Sequence, residues 1–148
     1  MTCFWDGVMT GLVHNRLMDN RMTPADFATH LKRHNCRTDG VTWCSGNAAP
    51  ERLIQKTLEE NEQWIAEYDV GTVSNGLDCG VLNPFLMLVC YLYEVDISHS
   101  FQAPTFDPVT RRNIGHTSSM SSYYRSDNSC TTRRMRFSST VGHFVFKG

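Results

Sequence analysis

The chain has no Cys-x-x-Cys pair, no internal repeat, no marked excess of charge of either sign and no long apolar run. Each absence narrows the reading. A net charge of −1 over 148 residues leaves no global field to draw in nucleic acid or an anionic membrane, so neither is expected as a partner. The longest apolar run, residues 84–93, is about half of what a membrane helix needs. The opening residues, Met-Thr-Cys-Phe-Trp-Asp-Gly-Val, hold an acid and no basic leader, unlike a secretory signal. A cytoplasmic protein is the resulting expectation, with its six cysteines reduced and too unevenly spaced for a secreted disulfide framework. What is there suits a globular fold: 41% hydrophobic and 20% charged residues, and a length that fits one domain over residues 1–148.

Apolar positions spaced by four, at Phe4, Val8 and Leu12 and at Trp5, Met9 and Val13, predict a helix over 4–18. Gly7 and Gly11 lie within it, and glycines four apart let a neighbour pack very close. Thr23-Pro24 and Asn83-Pro84 each read as an N-cap followed by a first-turn proline, opening helices over 24–34 and 84–93. Residues 36–49 read as loop. Pro50 is expected to open a further helix to about 68, with Leu53, Ile54, Leu58, Trp64 and Ile65 on its inner face. Alternation predicts strands at 95–98, 112–117, 134–139 and 141–147, and the Ser-rich stretch 118–132 reads as an exposed loop. Helices first and strands after imply an α+β fold, with N-terminal helices packed on a small, mostly antiparallel C-terminal sheet.

Two residues stand out chemically. Cys3 falls where the first helix begins, a place whose free N–H groups favour a thiolate. His143 lies in the alternating string Val-Gly-His-Phe-Val-Phe near the other end. A base on a sheet facing a thiol at a helix start is the geometry of papain-like catalysis.

Cys3-Phe4-Trp5 and His143-Phe144 resemble the two marks of ovarian-tumour (OTU) type deubiquitinases. These carry a cysteine followed by two bulky residues at a helix start and a late histidine followed by an aromatic. The chain is similar to the compact OTU-like proteins of large DNA viruses. The resemblance implies a papain-like fold, Cys3 as nucleophile and His143 as base. It also implies ubiquitin or a ubiquitin-like protein as partner, no cofactor and no catalytic metal, in host cytoplasm or virion. The family's Asp-Gly-Asn before the cysteine is not matched by Met1-Thr2, and Val145 stands where a third catalytic group often lies. The alternative is an inactive OTU-like fold serving as a binding or virion structural protein.

Three other clusters compete. Asn75-Gly76-Leu77-Asp78-Cys79-Gly80 resembles the nucleophile motif of SUMO-type proteases, but Pro84 would break a helix starting at Cys79. His30, His34, Cys36 and Cys44 have the donor types for tetrahedral zinc without the spacing of a common finger. Tyr123-Tyr124 and the basic run Arg133-Arg134-Met135-Arg136 would make a stacking surface only if they shared a face.

Overall fold

The computed structural model describes residues 1–77, 82–106, 109–110, 113–127, 133–140 and 143–148, with the side chains of 103–106 and 113–119 set aside. Its four α-helices begin where local chemistry satisfies or leaves free the first N–H groups. Helix α1 is Cys3–His14. Helix α2, Pro24–Arg33, is capped by Thr23, whose hydroxyl oxygen accepts the Asp26 N–H at 3.1 Å. Helix α4, Pro84–Tyr93, is capped in the same way by Asn83 accepting the Leu86 N–H at 3.0 Å. It ends at Glu94 in the left-handed region, φ 51°.

The helix expected from Pro50 instead starts later: α3 is Gln55–Glu67. Glu51–Arg52 form a short strand β2 that pairs antiparallel with β1, Val41–Ser45, inside the stretch expected as loop. Gly40 and Gly46 bracket Val-Thr-Trp there, and β-branched and aromatic residues fit a pleated, half-buried ladder. Only Leu58 and Ile65 of α3 are fully buried. Trp64 and Ile54, expected on the inner face, are 43% and 67% exposed.

The remaining strands are β3 (Asp96–Phe106), β4 (Asn113–Ser126), β5 (Arg134–Thr140) and β6 (His143–Phe146). They join the first two in one six-stranded sheet of order β2-β1-β4-β3-β5-β6. Every neighbouring pair is antiparallel except β3 with β5. The architecture is therefore α+β with a mostly antiparallel sheet, as the element order implied. Strand β4 runs through Ser118–Ser126, which composition marks as loop. Its backbone is paired on both sides, with β1 and with β3, and that ladder overrides the turn preference of serine.

Alternation sorts the sheet into two faces. Val41, Ile97, Tyr124, Met135, Phe137 and Phe144 are buried with the helices in one hydrophobic cluster. The opposite phase, including Tyr123, Arg125, Arg134, Arg136 and Val145, is exposed. Helix α1 lies against β6 and β5 at its two glycines. A Cβ on Gly7 would stand 2.8 Å from the Phe144 ring, and one on Gly11 would stand 2.8 Å from Met135 Sδ. Among the described residues no helix is long and apolar enough to cross a membrane.

Candidate functional site

Helix α1 carries Cys3 as its first residue. Thr2 does not cap it, because its hydroxyl donates instead to the Asp6 carboxylate at 2.6 Å. Asp6 also accepts from the Arg21 guanidinium at 2.7 Å, so the nearest acid to Cys3 is committed to the helix surface. The first bond of the ladder runs from the Asp6 N–H to the Thr2 carbonyl at 2.9 Å. The N–H groups of Cys3, Phe4 and Trp5 precede it and point out of the helix start, where they favour an anion.

The path of α1 over the sheet decides what faces that helix start. Gly7 lies on Phe144 and Gly11 on Phe146. Four helical residues rise about 6 Å and two strand residues about 6.6 Å, so helix and strand keep step. One turn before Gly7, Cys3 therefore comes level with the start of β6, where His143 stands. The side chains following the two candidates touch: the Phe4 and Phe144 rings are 5.0 Å apart, tilted 60°. Cys3 is half-buried and His143 exposed.

The residues after the two candidates thus meet, but the candidates themselves are not joined. No hydrogen bond links the Cys3 thiol to His143 among the described residues. Phe144 turns inward to α1, so alternation directs the His143 imidazole to the other face. Among the described residues strand β6 is the edge of the sheet, with no further strand beyond it. Val145, two residues on and 45% exposed, offers no polar atom to orient the ring.

The other described thiols are poorer nucleophiles or stand elsewhere. Cys90 is fully buried in α4, and burial followed by the nearby Asp96 pushes its thiol far up. Cys36 is half-buried, raised by burial and then by Glu62. Cys44 sits on β1 beside Tyr123 of β4. Cys79 lies outside the described residues, but α4 begins at Pro84, as the proline required. The His30 and His34 rings lie 4.6 Å apart, tilted 55°, and burial followed by His34 and Arg33 holds His30 below the usual imidazole range. No group of three or more metal-binding side chains forms among the described residues, so the four donors weighed for zinc are not brought together.

A buried pair went unread in the sequence. His99 Nε2 lies 2.6 Å from Ser139 Oγ, both inside the protein. The imidazole packs against Phe101 and Phe144 at 5.6 and 5.4 Å. Burial holds it neutral, with a pKa lowered to about 4, and its Nδ1 has no hydrogen-bond partner. The signal was present, since His99 occupies the apolar phase of Val95, Ile97 and Phe101. Comparison with family models, curated proteins and solved structures finds no match for the chain.

Proposed function

We propose that the protein is a thiol hydrolase of the papain-like, OTU type, acting on ubiquitin or a ubiquitin-like protein. The observation that supports this reading is the Phe4–Phe144 contact at 5.0 Å, made by the residues that follow the helix-start cysteine and the strand-start histidine. In this reading the His143 imidazole turns about its side-chain bonds over the β6 edge and takes the Cys3 proton. The thiolate attacks the isopeptide carbonyl carbon, and the oxyanion gathers at the free N–H groups of the helix start. The imidazolium then gives its proton to the departing lysine amine, leaving a thioester. His143 next deprotonates a water, which attacks the thioester; the carboxylate leaves and the thiol is restored.

A second reading rests on Val145 and on the outward His143: the same fold retained as a binding or virion structural protein. Ubiquitin bearing a C-terminal thiol-reactive group separates the two. Labelling that is lost in Cys3→Ala and His143→Ala, and kept in Cys79→Ala, supports the hydrolase. Labelling lost only in Cys79→Ala moves the nucleophile to the SUMO-protease-like string. Complete absence of labelling, also with other modifiers, leaves the binding protein.

A further inference from the structure

The sheet face turned away from the helices is an ordered array of polar and basic side chains. The ladder places Cys44 beside Tyr123, Tyr123 beside Ser98, and Ser98 beside Arg136. Arg136 in turn exchanges backbone hydrogen bonds with Gly148 and Lys147 at the sheet's edge. One row thus crosses four strands from a thiol through an exposed phenol ring to Arg136, with Lys147 just past the end of β6 beside it. The next row carries Ser121, Ser100, Ser138 and Val145. On the other side of the first row, Arg125 pairs with Thr42 and Arg134 with Asp96.

Charge on this face is mostly positive. Arg125, Arg134, Arg136 and Lys147 are exposed, and none of them forms an ion pair within the described residues. Two acids stand among them: Asp96 accepts the Ser126 N–H at 3.3 Å, and Asp127, beside Arg125, is held by the Arg52 guanidinium. The near-neutral whole chain therefore hides a local basic field. Tyr123 stands in the middle of it, 45% exposed, although aromatic rings normally bury their apolar faces. A shallow recess flanks the ring on each side, of about 410 Å³ toward Thr42, Cys44 and Arg125 and about 400 Å³ toward Ser98, Arg136 and Lys147. Between the cations the floor is serine, too short to obstruct a flat ring laid on the sheet.

We propose that this open sheet face binds single-stranded nucleic acid, with a base stacked on Tyr123 and phosphates on Arg125, Arg136 and Lys147. Exposed aromatic plus unpaired cations plus small hydroxyls is the combination a single strand needs: a π-face for bases and positive charge along the backbone. A duplex hides its base faces within its own stack, and a protein partner would ask for a more apolar centre than serines provide. Of the surface considered from the sequence, Tyr123, Arg134 and Arg136 share this exposed face, whereas Tyr124 and Met135 are buried on the other. The proposal is independent of the thiol chemistry, because none of these residues touches Cys3.

The test is fluorescence anisotropy of the full chain with labelled mixed-sequence 12-nucleotide single-stranded RNA and DNA, a matched duplex, and an acidic peptide as competitor. Binding of a single strand is expected to weaken steeply between 50 and 200 mM salt. The Arg136→Glu/Lys147→Glu double variant is expected to reduce affinity at least tenfold, and Tyr123→Ala about tenfold, the usual loss of one stacked base. Because all three side chains are exposed, each variant should melt like the parent, which separates lost binding from lost folding. No binding to either single strand at low salt overturns the proposal. So does binding insensitive to Arg136→Glu/Lys147→Glu, or equal binding with Tyr123 removed, which would indicate adventitious polyanion attraction. Stronger competition by the acidic peptide than by oligonucleotide would assign the face to a protein.

Discussion

Phe4 and Phe144 meet ring to ring at 5.0 Å, each one residue beyond a member of the proposed catalytic pair. The contact is close because Gly7, one turn along α1, presents no side chain to the Phe144 ring. Gly7→Ala would place a Cβ at 2.8 Å from that ring, closer than carbon atoms tolerate. Overpacking of this kind costs about 1–3 kcal/mol, against a gain of at most about 1 kcal/mol in helix propensity. A net loss of stability in urea unfolding, with weaker ubiquitin-probe labelling, is the expected outcome. At Gly11 the nearest atom is the sulfur of Met135, a flexible side chain, so Gly11→Ala should cost less. If Gly7→Ala is as stable as the parent, the approach of α1 to β6 is not set by this contact.

His143 and Phe144 are adjacent in sequence and opposite in role, which makes them separable. His143 is exposed and Phe144 is 6% exposed. His143→Ala should leave stability within about 0.5 kcal/mol while abolishing probe labelling. Phe144→Ala should destabilise by about 3–5 kcal/mol. Urea midpoints and labelling rates measured on the same preparations check both. A His143→Ala protein that labels at the parental rate removes His143 from the mechanism.

The elements legible in the sequence were those with a local chemical signal. Thr23-Pro24 and Asn83-Pro84 marked α2 and α4 because cap and proline act within one turn. Cys3 and His143 were singled out from their neighbours, and Phe4 and Phe144, the residues that follow them, meet in the core. The orientation of His143 needed more: Phe144 and Phe146 compete for the same buried face, and their larger apolar area leaves His143 outside. The strand expected at 112–117 is the first part of β4, whereas β1 and the continuation of β4 through 118–126 were missed because their identity comes from partners far along the chain. Ser121 and Ser122 carry turn-like composition, yet the first lies opposite Ser100 and the second opposite His99. The basic sheet face was invisible for the same reason, since Tyr123, Arg136 and Lys147 become neighbours only through the ladder.

Asn83 gives a direct test of the capping argument. Its side chain accepts the Leu86 N–H at 3.0 Å and is itself 3% exposed. Asn83→Ala should lower stability by about 1–2 kcal/mol, at the upper end for a cap because water cannot replace the lost acceptor. Asn83→Asp, which keeps the oxygen, should retain more of the stability than Asn83→Ala in thermal melting. The reverse order would show that burial of charge outweighs the cap.

His99 makes a prediction in pH. Desolvation lowers its pKa from 6.5 to about 4 in the folded protein, so between those values the unfolded chain binds a proton that the folded chain refuses. The folded state is then fully favoured above about pH 6.5 and loses stability as pH falls toward 4, levelling out below. The slope approaches about 1.4 kcal/mol per pH unit and the whole step is about 3 kcal/mol. His99→Gln removes the titrating group, so its stability should change less between pH 7 and 5 than that of the parent, whatever its stability at pH 7. Ser139→Ala deletes the hydroxyl 2.6 Å from Nε2 and should cost about 1–3 kcal/mol for a buried unpaired nitrogen, while leaving the slope in place. Urea unfolding of the three proteins at pH 5, 6 and 7 reads both effects. A parental slope preserved in His99→Gln would assign the pH dependence to another group.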